Sequence, residues 1–139
     1  LEGKLILLQQ NIFSFEDEGV IVVGCSLWSF IPEHLAAAVA AVLNDFKKFE
    51  SWSVEIHNAA HSEDFAWLRQ EVQRCKPCTR IIAVTHHAPL IDRTASPEHK
   101  ISRIRSAFDT DLLCRTRANL STQVKYWVLD TRIGRRISK

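Results

Sequence analysis

Residues 80–89 read Arg80-Ile81-Ile82-Ala83-Val84-Thr85-His86-His87-Ala88-Pro89, and this stretch decides the fold. Its first six residues form an apolar, β-branched run bounded by Pro77 and Pro89, which reads as a buried strand over Arg80 to Thr85. The run follows a helical pattern, and that alternation is the rhythm of an α/β protein with a buried sheet. Two histidines come directly after the strand. The carboxyl end of such a strand opens into the crevice where α/β folds place their ligands. A neutral imidazole there binds borderline metals such as Zn, Fe and Mn, with Thr85 or loop groups available to fix its tautomer. A pair of polar residues in a surface turn is the competing reading of His86 and His87, and position alone leaves both open.

Toward the amino end, Leu5 to Leu8 and Val20 to Gly24 are short continuous apolar runs separated by the turn-forming Glu16-Asp17-Glu18-Gly19. They predict two strands, the second buried. Pro32 suits the first position of a helix, and Leu35, Val39, Val42, Leu43 and Phe46 recur at helical spacing, predicting one amphipathic helix to about Glu50. Ser62 followed by Glu63 and Asp64 predicts the start of a second helix, striped by Phe65, Leu68 and Val72 and ending near Cys75. Toward the carboxyl end we expect a loop from Ala88 to about Ser102, a helix from about Ser106 to Arg115 and a strand over Val124 to Leu129. No repeat, low-complexity stretch or linker divides the chain.

The composition bounds the function. With 139 residues, 46% hydrophobic and 24% charged, the chain is one domain with enough apolar content for a core, which excludes a collagen, a coiled coil or a disordered tail. The longest helical apolar stretch, Leu35 to Leu43, is far short of the roughly twenty residues that cross a bilayer. The sequence opens at Leu1 without a Met or a secretory signal, which suggests a fragment. Cys25, Cys75, Cys78 and Cys114 are too few and too uneven for a disulfide framework, so a reducing, cytoplasmic location is expected. Residues 102–139 carry nine Lys/Arg against three Asp/Glu, whereas residues 1–101 carry nine against thirteen. The basic end, with Arg132, Arg135, Arg136 and Lys139, has little aromatic interleaving, and a solvated terminus is preferred to a nucleic-acid interface.

Two further groups invite chemistry. His57-Asn58-Ala59-Ala60-His61 has the i, i+4 spacing that brings two rings to one helix face, but it lacks the glutamate of a zinc-protease helix. It stands just ahead of the predicted helix start, so a loop and capping segment is preferred to a metal pair, with substrate contact or loop positioning left open for His57, Asn58 and His61. Cys75-Lys76-Pro77-Cys78 has the spacing of a redox dithiol, yet it follows a helix instead of opening one, where a dipole would lower a thiol pKa. There is no Gly-rich phosphate loop and no nucleophile elbow, which argues against nucleotide cradles and serine hydrolases. Trp28, Trp52, Trp67 and Trp127 are assigned to the core or its edge.

Leu27-Trp28-Ser29 after a Val-Gly-Cys strand end, His57-Asn58-x-x-His61-x-x-Asp64-x-x-Trp67-Leu68, and Thr85-His86-His87-Ala88-Pro89 together resemble a calcineurin-like metallophosphoesterase. Ala107 to Leu112 and the strand Val124 to Val128 resemble the same family in the same order, so the likeness spans about residues 3–128. It is to the carboxyl-terminal half of such a domain, truncated at both ends. The resemblance implies an α/β fold, a partial β-sandwich flanked by helices over residues 1–128, followed by a basic tail over residues 129–139 that departs from the pattern. It further implies a hydrolase of phosphate mono- or diesters using two divalent ions (Mn, Fe or Zn) about 3.5 to 4 Å apart, which clamp the phosphoryl group and generate a hydroxide.

The family's metals are held by Asp-x-His, Gly-Asp, Gly-Asn-His-Asp/Glu, a lone histidine after a strand, and Gly-His-x-His. Only the lone histidine has a counterpart here: the resemblance assigns metal binding to His86, with His87 as second choice. Where Gly-His-x-His would stand, the chain reads Leu129-Asp130-Thr131-Arg132. This chain alone is therefore expected to bind metal weakly and to be inactive. A non-catalytic α/β interaction or regulatory fragment is the rival reading.

Overall fold

The structure is a computed structural model that describes residues 5–89, 110, 112 and 120–129. The turn Glu16–Gly19 closes a hairpin between β1 (Asn11–Phe15) and β2 (Val20–Cys25), with Gly19 N–H donating to the Glu16 carbonyl at 3.2 Å. Gly19 takes φ +60°, a left-handed conformation that glycine adopts without a Cβ penalty. β3 (Arg80–Thr85) and β4 (Val124–Leu129) complete a four-stranded sheet in the order β1-β2-β3-β4. β1 is antiparallel to β2, and β2, β3 and β4 are mutually parallel. The chain is thus α/β, built on a mixed open sheet.

Between the strands lie a 3-10 turn (Glu33–Leu35) and the helices α1 (Ala36–Val42), α2 (Asp45–Lys48), α3 (Val54–Arg74) and α4 (Leu120–Gln123). α3 covers one face of the sheet. Its Leu68 and Val72 pack with Val23, Cys25, Leu27, Ile81, Ala83, Leu120 and Trp127 in the main core. Alternation along the strands sends Ile21, Val23 and Cys25 of β2 and Ile81, Ala83 and Thr85 of β3 toward this side. A second cluster seats Ile31 and Val39 among Leu35, Leu43, Phe46 and Val54.

Three expectations are corrected. Leu5 to Leu8 is not a strand: it has no pairing partner among the described residues, Leu5 and Leu7 stand 100% and 80% exposed, and Leu8 passes over Gly24. A Cβ on Gly24 would lie 2.6 Å from the Leu8 Cβ, so only glycine allows that approach. The single helix from Pro32 to Glu50 is instead three short pieces, because Leu43 turns to extended backbone at φ −70°, ψ 133° and Asn44 leads into a new start. The helix predicted from Ser62 begins eight residues earlier at Val54, where the Ser53 hydroxyl accepts the Ile56 N–H at 3.3 Å. His57, Asn58 and His61 therefore sit inside a helix and not in a capping loop. The strands at Val20, Arg80 and Val124 stand where expected, β2 running one residue further to Cys25. The loop after Pro89, the helix from Ser106 to Arg115, most of the segment Ala107–Leu112, Cys114 and the basic tail lie outside the described residues. No helix among the described residues is long and apolar enough to cross a membrane.

Candidate functional site

The three parallel strands end together, Cys25 level with Thr85 and Thr85 level with Leu129. At that edge lies an open groove of about 360 Å³, walled by Leu8, Gln9, Cys25, Ser26, Thr85 and His86 together with the ends of β3 and β4. Alternation carried past the strand decides which histidine meets it. Thr85 is buried, His86 is exposed on the groove, and His87 is buried again at 6% exposure. The turn is pinned from two sides. Thr85 Oγ1 donates to the His87 carbonyl at 2.8 Å and accepts the Trp127 indole N–H at 2.8 Å, while His87 N–H donates to the Ser26 carbonyl at 3.1 Å.

The His87 ring leaves the groove for an aromatic cluster, with centroids 5.4 Å from Trp28 and 6.2 Å from His57. Trp52 and Phe46 close the same cluster around His57, at 6.1 and 5.7 Å. The His86 and His87 rings meet edge to face, with centroids 5.1 Å apart at an interplanar angle of 82°.

His57, Asn58 and His61 do not wall the groove; they grip the loop that follows β2. His57 Nε2–H donates to the Ser29 carbonyl at 2.9 Å, and His61 Nδ1–H donates to the Trp28 carbonyl. A carbonyl only accepts, so each contact assigns the proton to that ring nitrogen. Asn58 makes two bonds to one residue, accepting Ile31 N–H at 2.8 Å and donating to its carbonyl at 2.9 Å. Burial holds both His57 and His61 below the ordinary imidazole pKa and keeps them neutral. His57 Nδ1 is buried with no hydrogen-bond partner among the described residues, a cost set against the packing of its ring.

Asp64 completes this grip. It is 2% exposed and accepts the Leu27 N–H at 2.8 Å, which fixes Leu27 in the left-handed region at φ 50°. Cys25 lies on the groove, but burial and the Asp64 carboxylate push its thiol up to about 12. It is therefore a neutral thiol at physiological pH and not an activated nucleophile. Cys75 and Cys78 are not disulfide-bonded; Cys75 Sγ–H donates to the Glu71 carbonyl at 3.1 Å, and burial raises its thiol. An activated dithiol would need the opposite shift.

Among the described residues, no group of three or more His, Cys, Asp or Glu is arranged to hold a metal ion. Sequence reasoning missed Gln9, Ser26 and the placement of Asp64. The signal was present for Asp64: His57, His61, Asp64, Leu68 and Val72 form one helical stripe, all buried, and a carboxylate on a core stripe needs donors. No protein-family model matches the chain, and no curated protein or solved structure matches it.

Proposed function

We propose that this chain is part of a calcineurin-like metallophosphoesterase, a metal-dependent hydrolase of phosphate mono- or diesters, with His86 one of its metal ligands. The observation that carries the reading is the parting of two adjacent histidines. His86 faces an open groove at the carboxyl end of a central parallel strand, and His87 turns into the core. The motif resemblance supplies the reaction class, and the strand-end position supports it.

The donor set falls short of a complete metal centre. A neutral imidazole suits a borderline divalent ion, but a catalytic site takes about three protein ligands and an open position. The described residues that line the groove contribute one imidazole, that of His86, and the Cys25 side chain turns into the core. No step of hydrolysis is therefore assigned through a metal. Away from the groove, the face of the sheet opposite α3 supports a sandwich layer: Phe13, Val22, Ile82 and Tyr126 line it, with Tyr126 61% exposed. Parallel sheets are covered on both faces.

The test is hydrolysis of an aryl phosphate with Mn²⁺ by a chain extended at its amino end to include Asp-x-His and Gly-Asn-His motifs. His86→Ala is expected to cut that rate about tenfold or more. An unchanged rate refutes the role of His86. The same open apolar face favours the second reading, a non-catalytic α/β interaction or regulatory fragment. Activity that requires His86 decides against it.

A further inference from the structure

A chain of hydrogen bonds runs from the core to the groove. Asp64 Oδ1 accepts from Gln9 Nε2 at 3.3 Å and from Gln10 Nε2 at 2.9 Å, while Oδ2 accepts the Leu27 N–H. Gln9 Oε1 then accepts from the Ser26 N–H at 3.1 Å and from the Ser26 hydroxyl at 2.9 Å. The Ser26 carbonyl accepts the His87 N–H at 3.1 Å, which ties the end of the chain to the peptide joining His86 and His87.

We propose that Asp64 is the positioning residue of the groove: its carboxylate orients the Gln9 amide and, through Ser26, sets the peptide that carries His86. The inference rests on the reading of His86 as the site's ligand. Polarity is the physical reason. A carboxylate only accepts and a backbone N–H only donates, so with Asp64 at one end and Ser26 N–H at the other the Gln9 amide has a single satisfied orientation. The same carboxylate holds Leu27 in its left-handed turn, so Gln9 and Ser26, on one side of the groove, hang from one buried group.

The substitution Asp64→Asn breaks this logic whichever way the new amide turns. With its oxygen toward Leu27 N–H, its NH2 meets Gln9 Nε2, and turning Gln9 over only moves the clash to Ser26 N–H. The further substitution Gln9→Glu repairs the sequence of donors: one of its oxygens accepts from the new amide and the other from Ser26. The pair Gln9→Glu with Asp64→Asn therefore reverses one link and keeps every bond satisfied, provided Gln10 presents its oxygen to that amide.

The experiment is NMR on the full chain, first without metal and then with Mn²⁺ alone as the probe. Asp64→Asn and Gln9→Ala are each expected to displace the His87 amide and His86 ring resonances, while the Gly19 amide at the far hairpin stays in place. Each is also expected to weaken Mn²⁺ binding at His86, read as broadening of its ring resonances that begins at higher Mn²⁺ than in the unaltered chain. The double variant Gln9→Glu/Asp64→Asn is expected to return both readouts. Unmoved His86 and His87 resonances in the single variants overturn the inference, as does equal displacement of Gly19 or failure of the double variant to restore them. If Asp64→Asn does not fold, Gln9→Ala at an exposed position decides the matter by the same criteria. Absence of Mn²⁺ binding at His86 in the unaltered chain overturns the reading of His86 instead, and the metal-free resonances still decide the network.

Discussion

At the scale of single residues, His86 and His87 show how one peptide unit separates a groove residue from a core residue. The strand period continues through the pinned turn, and Thr85 and Trp127 hold it there. That His86 stands at the end of a strand was legible in the sequence. What was not legible was which way each ring faces, because that depends on hydrogen bonds from β4 and from the loop after β2. Asp64 was read as a first-turn acid, since Ser62-Glu63-Asp64 mimics a helix start; its three donors come from residues 9, 10 and 27, which no local pattern connects to it. Gly24 gives a direct check on the crossing of Leu8. Gly24→Ala would place a Cβ 2.6 Å from the Leu8 Cβ and 3.0 Å from its carbonyl oxygen, so about 1–3 kcal/mol of stability should be lost in urea denaturation. Wild-type stability in that variant would mean that Leu8 does not cross there. Asn58→Ala removes both bonds to Ile31, and faster hydrogen exchange at the Ile31 amide is the expected result.

At the scale of elements, α3 is the organiser, and its length was half hidden. Residues 54–61 carry two histidines and an asparagine, which lower an apolar-stripe signal even though they occupy the core face. Their partners are backbone groups of residues 28, 29 and 31, so the helix is stabilised there by tertiary contacts that composition does not reveal. The strands were easier: Val20 and Arg80 begin apolar runs whose neighbours in the sheet are one another. The exceptions are β1, whose mixed Asn11–Phe15 carries no continuous apolar run and was not expected, and Leu5 to Leu8, unpaired among the described residues, where an apolar run alone mimics a strand. The amino end of α3 rests on Ser53. Ser53→Ala should cost about 1 kcal/mol and lower Tm by a few degrees. An unchanged Tm would place the helix start elsewhere, for example at Ser62.

At the scale of the whole molecule, burying neutral imidazoles couples the fold to pH. His57 and His61 have pKa values held below the ordinary 6.5 by burial, so the folded state resists a proton that the unfolded chain accepts. Their contribution is fully present above pH 6.5 and drains away as pH falls from there toward the depressed values, at most on the order of 1 kcal/mol per pH unit for each ring. Urea midpoints measured between pH 7.5 and 5 should therefore fall, and replacing both histidines by asparagine should flatten the slope even if it lowers the stability. The α/β class was readable from the alternation of apolar runs and helical spacing. The second face of the sheet, covered by no helix among the described residues, was not, because an apolar strand looks the same whether one side or both are covered.

The proposed function turns on the imidazole of His86, and not those of His57, His61 or His87, serving a ligand at the groove. Mn²⁺ added in small steps to the full chain, with the side-chain ring resonances of His57, His61, His86 and His87 followed together, measures it directly. The account predicts that the His86 ring broadens first, ahead of His87, with His57 and His61 affected last. Broadening that begins at His57 or His61, or that spares His86 throughout, would contradict it.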